Sequence, residues 1–187
     1  STPELATVTA GTLSLGHTGH TGAFSVSATP ATTGIGALEL LSSSLSLGSA
    51  ITGLLETFLN AGKDAIVQTA GSLTVTDSIA KSAGGDATLT LRAGSDLSFS
   101  SAVGASSSSN KLSMDFTGGY STTGTLNTSG TGTFTSNGGT IGFTGRSGVT
   151  LSGSSITAGA GTITLAGGDI ALSSTAITST GRVILRP

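Results

Sequence analysis

The sequence predicts an all-β fold, a right-handed parallel β-helix with three short strands in each coil of about 20–24 residues. Three observations predict it. Apolar residues alternate with small polar ones over short runs, the runs recur at a nearly constant step, and turn residues separate them. Alternation with period two is the mark of a strand with one buried face. A constant step of twenty to fifty residues is the mark of a solenoid or array, in which one unit cannot bury its apolar face alone.

The most regular stretch is at the C-terminal end. Ile141 and Phe143 recur as Ile163 and Leu165 and again as Val183 and Leu185; Val149 and Leu151 recur as Ile170 and Leu172, and Ile156 recurs as Ile177. Upstream, Leu73 and Val75 map onto Leu97 and Phe99, Ile79 onto Val103, and Val67 onto Leu89. Leu112 and Met114 open the next unit and are aligned with Ile141, so that unit is long and contains an insertion around residues 117–138, with Leu126 and Phe134 supplying its second and third strands. Inward positions are read as aliphatic, outward ones such as Thr74, Thr88, Thr90, Thr162 and Thr164 as small and polar. Seven or eight such coils at ordinary strand spacing make a rod roughly 35 Å long. The right hand follows from the general rule for parallel crossovers.

Residues 1–58 read as a less regular flank and 59–187 as the regular coils of a single β-helix, the whole being a segment of a longer protein. In "LLETFLNAGKDAIV", Leu54, Leu55, Phe58 and Leu59 have helical spacing. The repeat grammar nevertheless claims Leu59 and Ile66 for the stack, and that reading is preferred over a helix.

Composition excludes several classes. Of 187 residues, aromatics make up 4% and charged residues 9%, with no tryptophan, which argues against a globular enzyme core built on large side chains. Hydrophobic residues at 36% and a net charge of -2 argue against disorder. The seven cations stand singly, so no basic patch for nucleic acid or anionic membrane is expected. There is no cysteine, hence no disulfide and no thiolate site. No apolar run is long enough to cross a membrane as a helix.

The segments "GSLTVTDSIAKSAGGDATLTLRAGSDLSFSSAV" and "ITAGAGTITLAGGDIALSSTAITSTG" resemble the repeat region of the filamentous-haemagglutinin-like exoproteins. The resemblance covers roughly residues 59–187. It implies a β-helical shaft of a large secreted adhesin on a bacterial cell surface, exported across the outer membrane by a dedicated partner (two-partner secretion). It also implies attachment to a host receptor or glycan, a monomeric shaft, and no membrane insertion. The secretion domain of that family carries Asn-Pro motifs; none occurs here, so the chain is expected to be shaft rather than export signal.

Candidate sites are few. The element Ala-Gly-x-Asp occurs four times, ending at Asp64, Asp86, Asp96 and Asp169; turn punctuation is the favoured reading, with each carboxylate accepting from backbone N–H groups two or three residues on. Stacking of Asp64 and Asp86 around Ca²⁺ is the alternative. Paired-carboxylate catalysis on a polysaccharide needs converging acids, whereas Glu4, Glu39, Glu56, Asp77 and Asp115 are scattered. His17 and His20 in "GHTGHTG" read as a polar loop rather than a metal site, and Asn127 lies in a glycosylation sequon. The pairs Thr88/Thr90, Thr131/Thr133 and Thr162/Thr164 raise an ice-binding or carbohydrate-binding face as an alternative function. The insertion carrying Tyr120 and the Ser-rich "GASSSSN" are where recognition loops are expected. No residue is assigned a catalytic, metal-binding or cofactor-binding role, no cofactor is expected, the ligand-binding residues are unknown, and the chain is not read as an enzyme.

Overall fold

The computed structural model describes residues 8–22, 24–26, 30–105, 110–129 and 132–187. The chain is a parallel β-helix of about seven turns with one short helix. One face is an eight-stranded sheet of β1 (Ala10–Gly16), β2 (Ile35–Ser42), β4 (Asp64–Thr69), β7 (Ala87–Ala93), β10 (Leu112–Gly118), β13 (Ile141–Gly145), β16 (Ile163–Gly167) and β19 (Val183–Arg186), in that spatial order. A second holds β3 (Leu45–Leu47), β5 (Leu73–Val75), β8 (Leu97–Phe99), β11 (Thr125–Thr128), β14 (Gly148–Ser152) and β17 (Ile170–Ser173). The third holds β6 (Ile79–Lys81), β9 (Val103–Ala105), β12 (Thr133–Thr135), β15 (Ser155–Gly159) and β18 (Ala176–Ser179). Each strand pairs in parallel with the strand one turn away, as in β10 with β7 and β13.

Because the pairing is parallel and in register, like positions stack into files along the axis. The eight-stranded sheet sends two main files inward. One runs Leu13, Leu38, Ala65, Leu89, Met114, Ile141, Ile163, Val183, and the other Leu15, Leu40, Val67, Leu91, Phe116, Phe143, Leu165, Leu185. The alignment of Ile141, Ile163 and Val183 is therefore as the repeat predicts, as are those of Leu73 with Leu97, Val149 with Ile170 and Ile156 with Ile177. From Leu38 through Leu165 these files are fully buried.

Two expected registers are wrong by two residues. Val67 pairs with Leu91, not Leu89, and Ile141 pairs with Met114, not Leu112. A slip of two keeps every side chain on its own face, so alternation alone does not choose between the two registers. The choice falls to the number of apolar layers: β7 and β10 bury Ala87 and Leu112 as an extra pair with no counterpart in β13.

The core is also less purely aliphatic than expected. Phe99, Phe116, Phe134 and Phe143, contributed by all three faces, form a cluster with ring centroids 4.9–6.1 Å apart, mostly in edge-on contact. Phe99, Phe116 and Phe134 lie in the turns of 25 residues (Leu89 to Met114) and 27 (Met114 to Ile141), and Phe143 opens the 22-residue turn that follows (Ile141 to Ile163). The last turn, 20 residues from Ile163 to Val183, uses Ile and Leu instead. Rings packed edge to face fill this part of the core at the density of a protein interior.

The segment read as stack at Leu59 and Ile66 is instead α1 (Ser49–Asn60), with Ile66 outward on β4. Ile51, Leu54, Leu55, Phe58 and Leu59 are spaced i, i+3, i+4, i+7, i+8, which is one helical face, and all five are buried. The helix stands where that turn would have placed its third strand, and it covers the edge of β6. Glu56 Oε1 accepts from the Ala80 N–H at 2.7 Å, and Asn60 Oδ1 accepts from Ser82 and Ala83 N–H at 2.7 and 3.1 Å. Those are donors that a neighbouring strand would otherwise bind, so the edge is closed to further pairing.

Candidate functional site

The three described Ala-Gly-x-Asp carboxylates with side-chain bonds do not fold back on their own turn as expected. They reach to the next coil. Asp64 Oδ1 accepts from Thr88 N–H at 2.7 Å, Asp86 Oδ1 from Lys111 N–H at 3.1 Å, and Asp96 Oδ1 from both the N–H and the hydroxyl of Thr125 at 2.9 Å each. In this solenoid the donor that each carboxylate meets is an N–H at the start of the strand stacked above, not one two residues on in sequence. A charged acceptor strengthens such a bond. Asp169 takes part through its main-chain carbonyl, which accepts from Val149 N–H at 2.8 Å.

Asp64 and Asp86 both line a surface groove of about 260 Å³ with Thr88, Lys111 and Ser113, but they do not stack: with Ala65 opposite Leu89, Asp64 is level with Thr88 rather than Asp86. The other acids are spread over the surface. Glu39 accepts from the Ser14 hydroxyl, Glu56 serves the helix–strand edge, Asp115 faces Arg92, and Glu4 lies outside the described residues. Among the described residues no group of three or more His, Asp or Glu side chains forms a metal-sized cluster. His17 and His20 have ring centroids 6.4 Å apart and sit in a tight turn, where His17 Nδ1 accepts from Gly19 N–H at 3.0 Å.

The threonine pairs form no unbroken file. Outward on the long sheet, Thr90 is followed by Asp115 and Gly142 before Thr164, and Thr133 belongs to another face. Thr131 and most of "GASSSSN" (106–109) lie outside the described residues. The second face carries a more uniform outward file, Ser46, Thr74, Ser98, Asn127, Thr150, Ala171. Asn127 is turned into this file, its amide donating to the Thr125 hydroxyl at 2.8 Å.

One lysine, not singled out by the sequence, is inside. The alternation Ile79-x-Lys81 on β6 sends Lys81 to the interior, where it is fully buried and donates to the carbonyls of Leu59 at 2.7 Å and Ala83 at 2.5 Å. Burial lowers its pKa from the ordinary lysine value, and the charge of Asp86 opposes this in part. Its ammonium reaches the last turn of α1, where the helix carbonyls carry partial negative charge.

The most differentiated surface is the loop between β10 and β11. The corresponding connection takes three residues between β7 and β8 and two between β13 and β14; here it takes six, 119–124, and carries the chain's single tyrosine. The loop is bonded on both sides. Gly119, Tyr120 and Thr122 donate their N–H groups to Ser95, Ala93 and Gly94 carbonyls at 2.6, 2.9 and 3.1 Å, while Gly118 and Gly124 carbonyls accept from Arg146 and Ser147 at 3.1 and 2.8 Å. Gly119 holds a left-handed φ of 76°, which lets the chain leave β10 sharply. Tyr120 is half-exposed, with the Arg92 guanidinium 5.4 Å from its ring centroid, and Arg92 lies 3.6 Å from the Asp115 carboxylate. In the sequence Tyr120 and Asp115 stand apart and Arg92 is one of the dispersed cations; only the register of β7 on β10, with Arg92 opposite Thr117, brings them to one spot.

No protein-family model matches the chain, and comparisons with curated proteins and with solved structures return no match.

Proposed function

We propose that this chain is a stiff shaft segment of a secreted bacterial surface adhesin, which holds loops or further modules away from the cell. The observation that carries the proposal is the unbroken stacking: eight strands of one face in register, with their side chains in continuous apolar files. Such a rod transmits position along its axis, about 4.8 Å per turn. The resemblance of its repeats to those of filamentous-haemagglutinin-like exoproteins supports the adhesin assignment, export through an outer-membrane partner and a surface location. A role in catalysis is not part of this reading, since the described carboxylates mainly serve as acceptors for backbone, hydroxyl and guanidinium groups of the rod itself.

The test is modular. Removal of residues 141–162 excises one turn and brings Met114 and Phe116 to the positions that Ile141 and Phe143 vacate beneath Ile163 and Leu165. The shortened chain is expected to keep its β-sheet circular dichroism and cooperative melting, with an end-to-end distance, read by fluorescence transfer between terminal labels, reduced by about 4.8 Å. Particles coated with the full chain are expected to attach to host-cell monolayers without releasing sugars from polysaccharides. Collapse of the shortened chain, or product release, overturns the shaft reading.

A further inference from the structure

We propose that the corner formed by Tyr120, Arg92 and Asp115, flanked by Gln68 and Thr117, is a binding site for a neutral oligosaccharide. The ring is aromatic surface held half-open to solvent on a loop with little freedom left to lose, so a sugar ring stacking on it costs little ordering of the protein. Arg92 and Asp115 stand beside it as a donor and an acceptor, which is what adjacent sugar hydroxyls require, since each hydroxyl both gives and takes a hydrogen bond.

The direction of the site follows from the sheet. Gln68, Arg92 and Thr117 are successive members of one outward file, one strand apart. That file runs along the rod axis with a step of about 4.8 Å, close to the length of one sugar ring in a chain. An oligosaccharide lying along the axis meets a polar side chain at each step and the tyrosine ring at one of them. Charge favours a neutral ligand over a sulfated or phosphorylated one, because the guanidinium nearest the ring is already paired with Asp115 and the chain carries a net charge of -2. This site stands apart from the shaft proposal: a rod lacking it still displays whatever it carries, so failure here leaves that reading untouched.

The chain has one tyrosine and no tryptophan, so its tyrosine emission, excited at wavelengths that phenylalanine does not absorb, reports on this corner alone. Titration of the full chain with cello-, malto-, chito- and galacto-oligosaccharides is expected to give a saturable change in that emission for at least one of them. Calorimetry with that sugar is expected to show Tyr120→Ala weakened about tenfold or more, Tyr120→Phe within about threefold of the original, and Arg92→Ala weakened about fivefold. Unchanged melting of all three variants shows that the rod is intact. The proposal is overturned if no neutral oligosaccharide alters the emission, if Tyr120→Ala binds as well as the original, or if only sulfated oligosaccharides bind and salt abolishes it.

Discussion

At residue 145 the chain has no room for a side chain. The corner between the long sheet and its neighbour is lined, turn after turn, by Ser42, Thr69, Ala93, Gly118, Gly145 and Gly167, all in register. A Cβ on Gly145 would overlap the Gly148 carbonyl oxygen, which is backbone and has nowhere to go. Gly142, three residues earlier and outward, has its nearest neighbour at 3.7 Å and ordinary φ. Gly145→Ala is therefore expected to destabilise the chain by on the order of 3 kcal/mol in urea unfolding, whereas Gly142→Ala is expected to change it by less than about 1 kcal/mol, in the stabilising direction. Equal effects of the two would refute the packed-corner explanation. The turn aspartates teach a related lesson at the same scale. The type of residue was readable from Ala-Gly-x-Asp, but its partner was not, because Thr88, Lys111 and Thr125 are 24 to 29 residues away and meet the carboxylates only through stacking.

The element that departs from the repeat is α1. Its helical spacing is legible in the sequence, and Ile51 extends it to a full face, but the repeat step claims Leu59 and Ile66 for the stack and only the fold decides between the two. In the fold the helix is compatible with the repeat, since it replaces a strand without interrupting the sheets on either side. Its C-terminal end is held by Lys81, whose charge is desolvated while its hydrogens are bonded. With the folded pKa below that of the unfolded chain, the unfolded state binds more protons in the interval between the two, so this lysine makes stability rise as pH climbs through that interval toward the ordinary lysine value. Below the interval the full cost of burying the charge is present. Urea unfolding between pH 7 and pH 10.5 is expected to show an upward component that Lys81→Met abolishes; the same slope in both proteins would show that Lys81 titrates normally.

Across the whole molecule, stability is a sum over neighbouring turns, and the last described turn differs from the interior ones. Where β2 through β16 stack, the files are closed off from water. At β17 to β19 the same files surface, with Leu172, Val183 and Leu185 at 45%, 48% and 54% exposure against 0% for Leu151 and Leu165. Leu165→Ala is thus expected to cost about 2–5 kcal/mol, as for a fully buried leucine, and Leu185→Ala less than about 1 kcal/mol, measured by the same unfolding curve. Comparable losses would mean that the last turn is buried in solution, for instance by self-association, which sedimentation would reveal.

Three short strands per turn, parallel stacking and the file through Ile141, Ile163 and Val183 were in the sequence by itself, because alternation declares a buried face and a constant step declares what lies above what. The tertiary structure decided the rest. It set the register of β7 and β10 to within two residues, placed Phe99, Phe116, Phe134 and Phe143 together, buried Lys81 against a helix, and gathered Tyr120, Arg92 and Asp115 at one corner. Period two tells which face a side chain takes but not which neighbour it meets. That neighbour is chosen by the volume each turn must fill and by the length of chain that closes it.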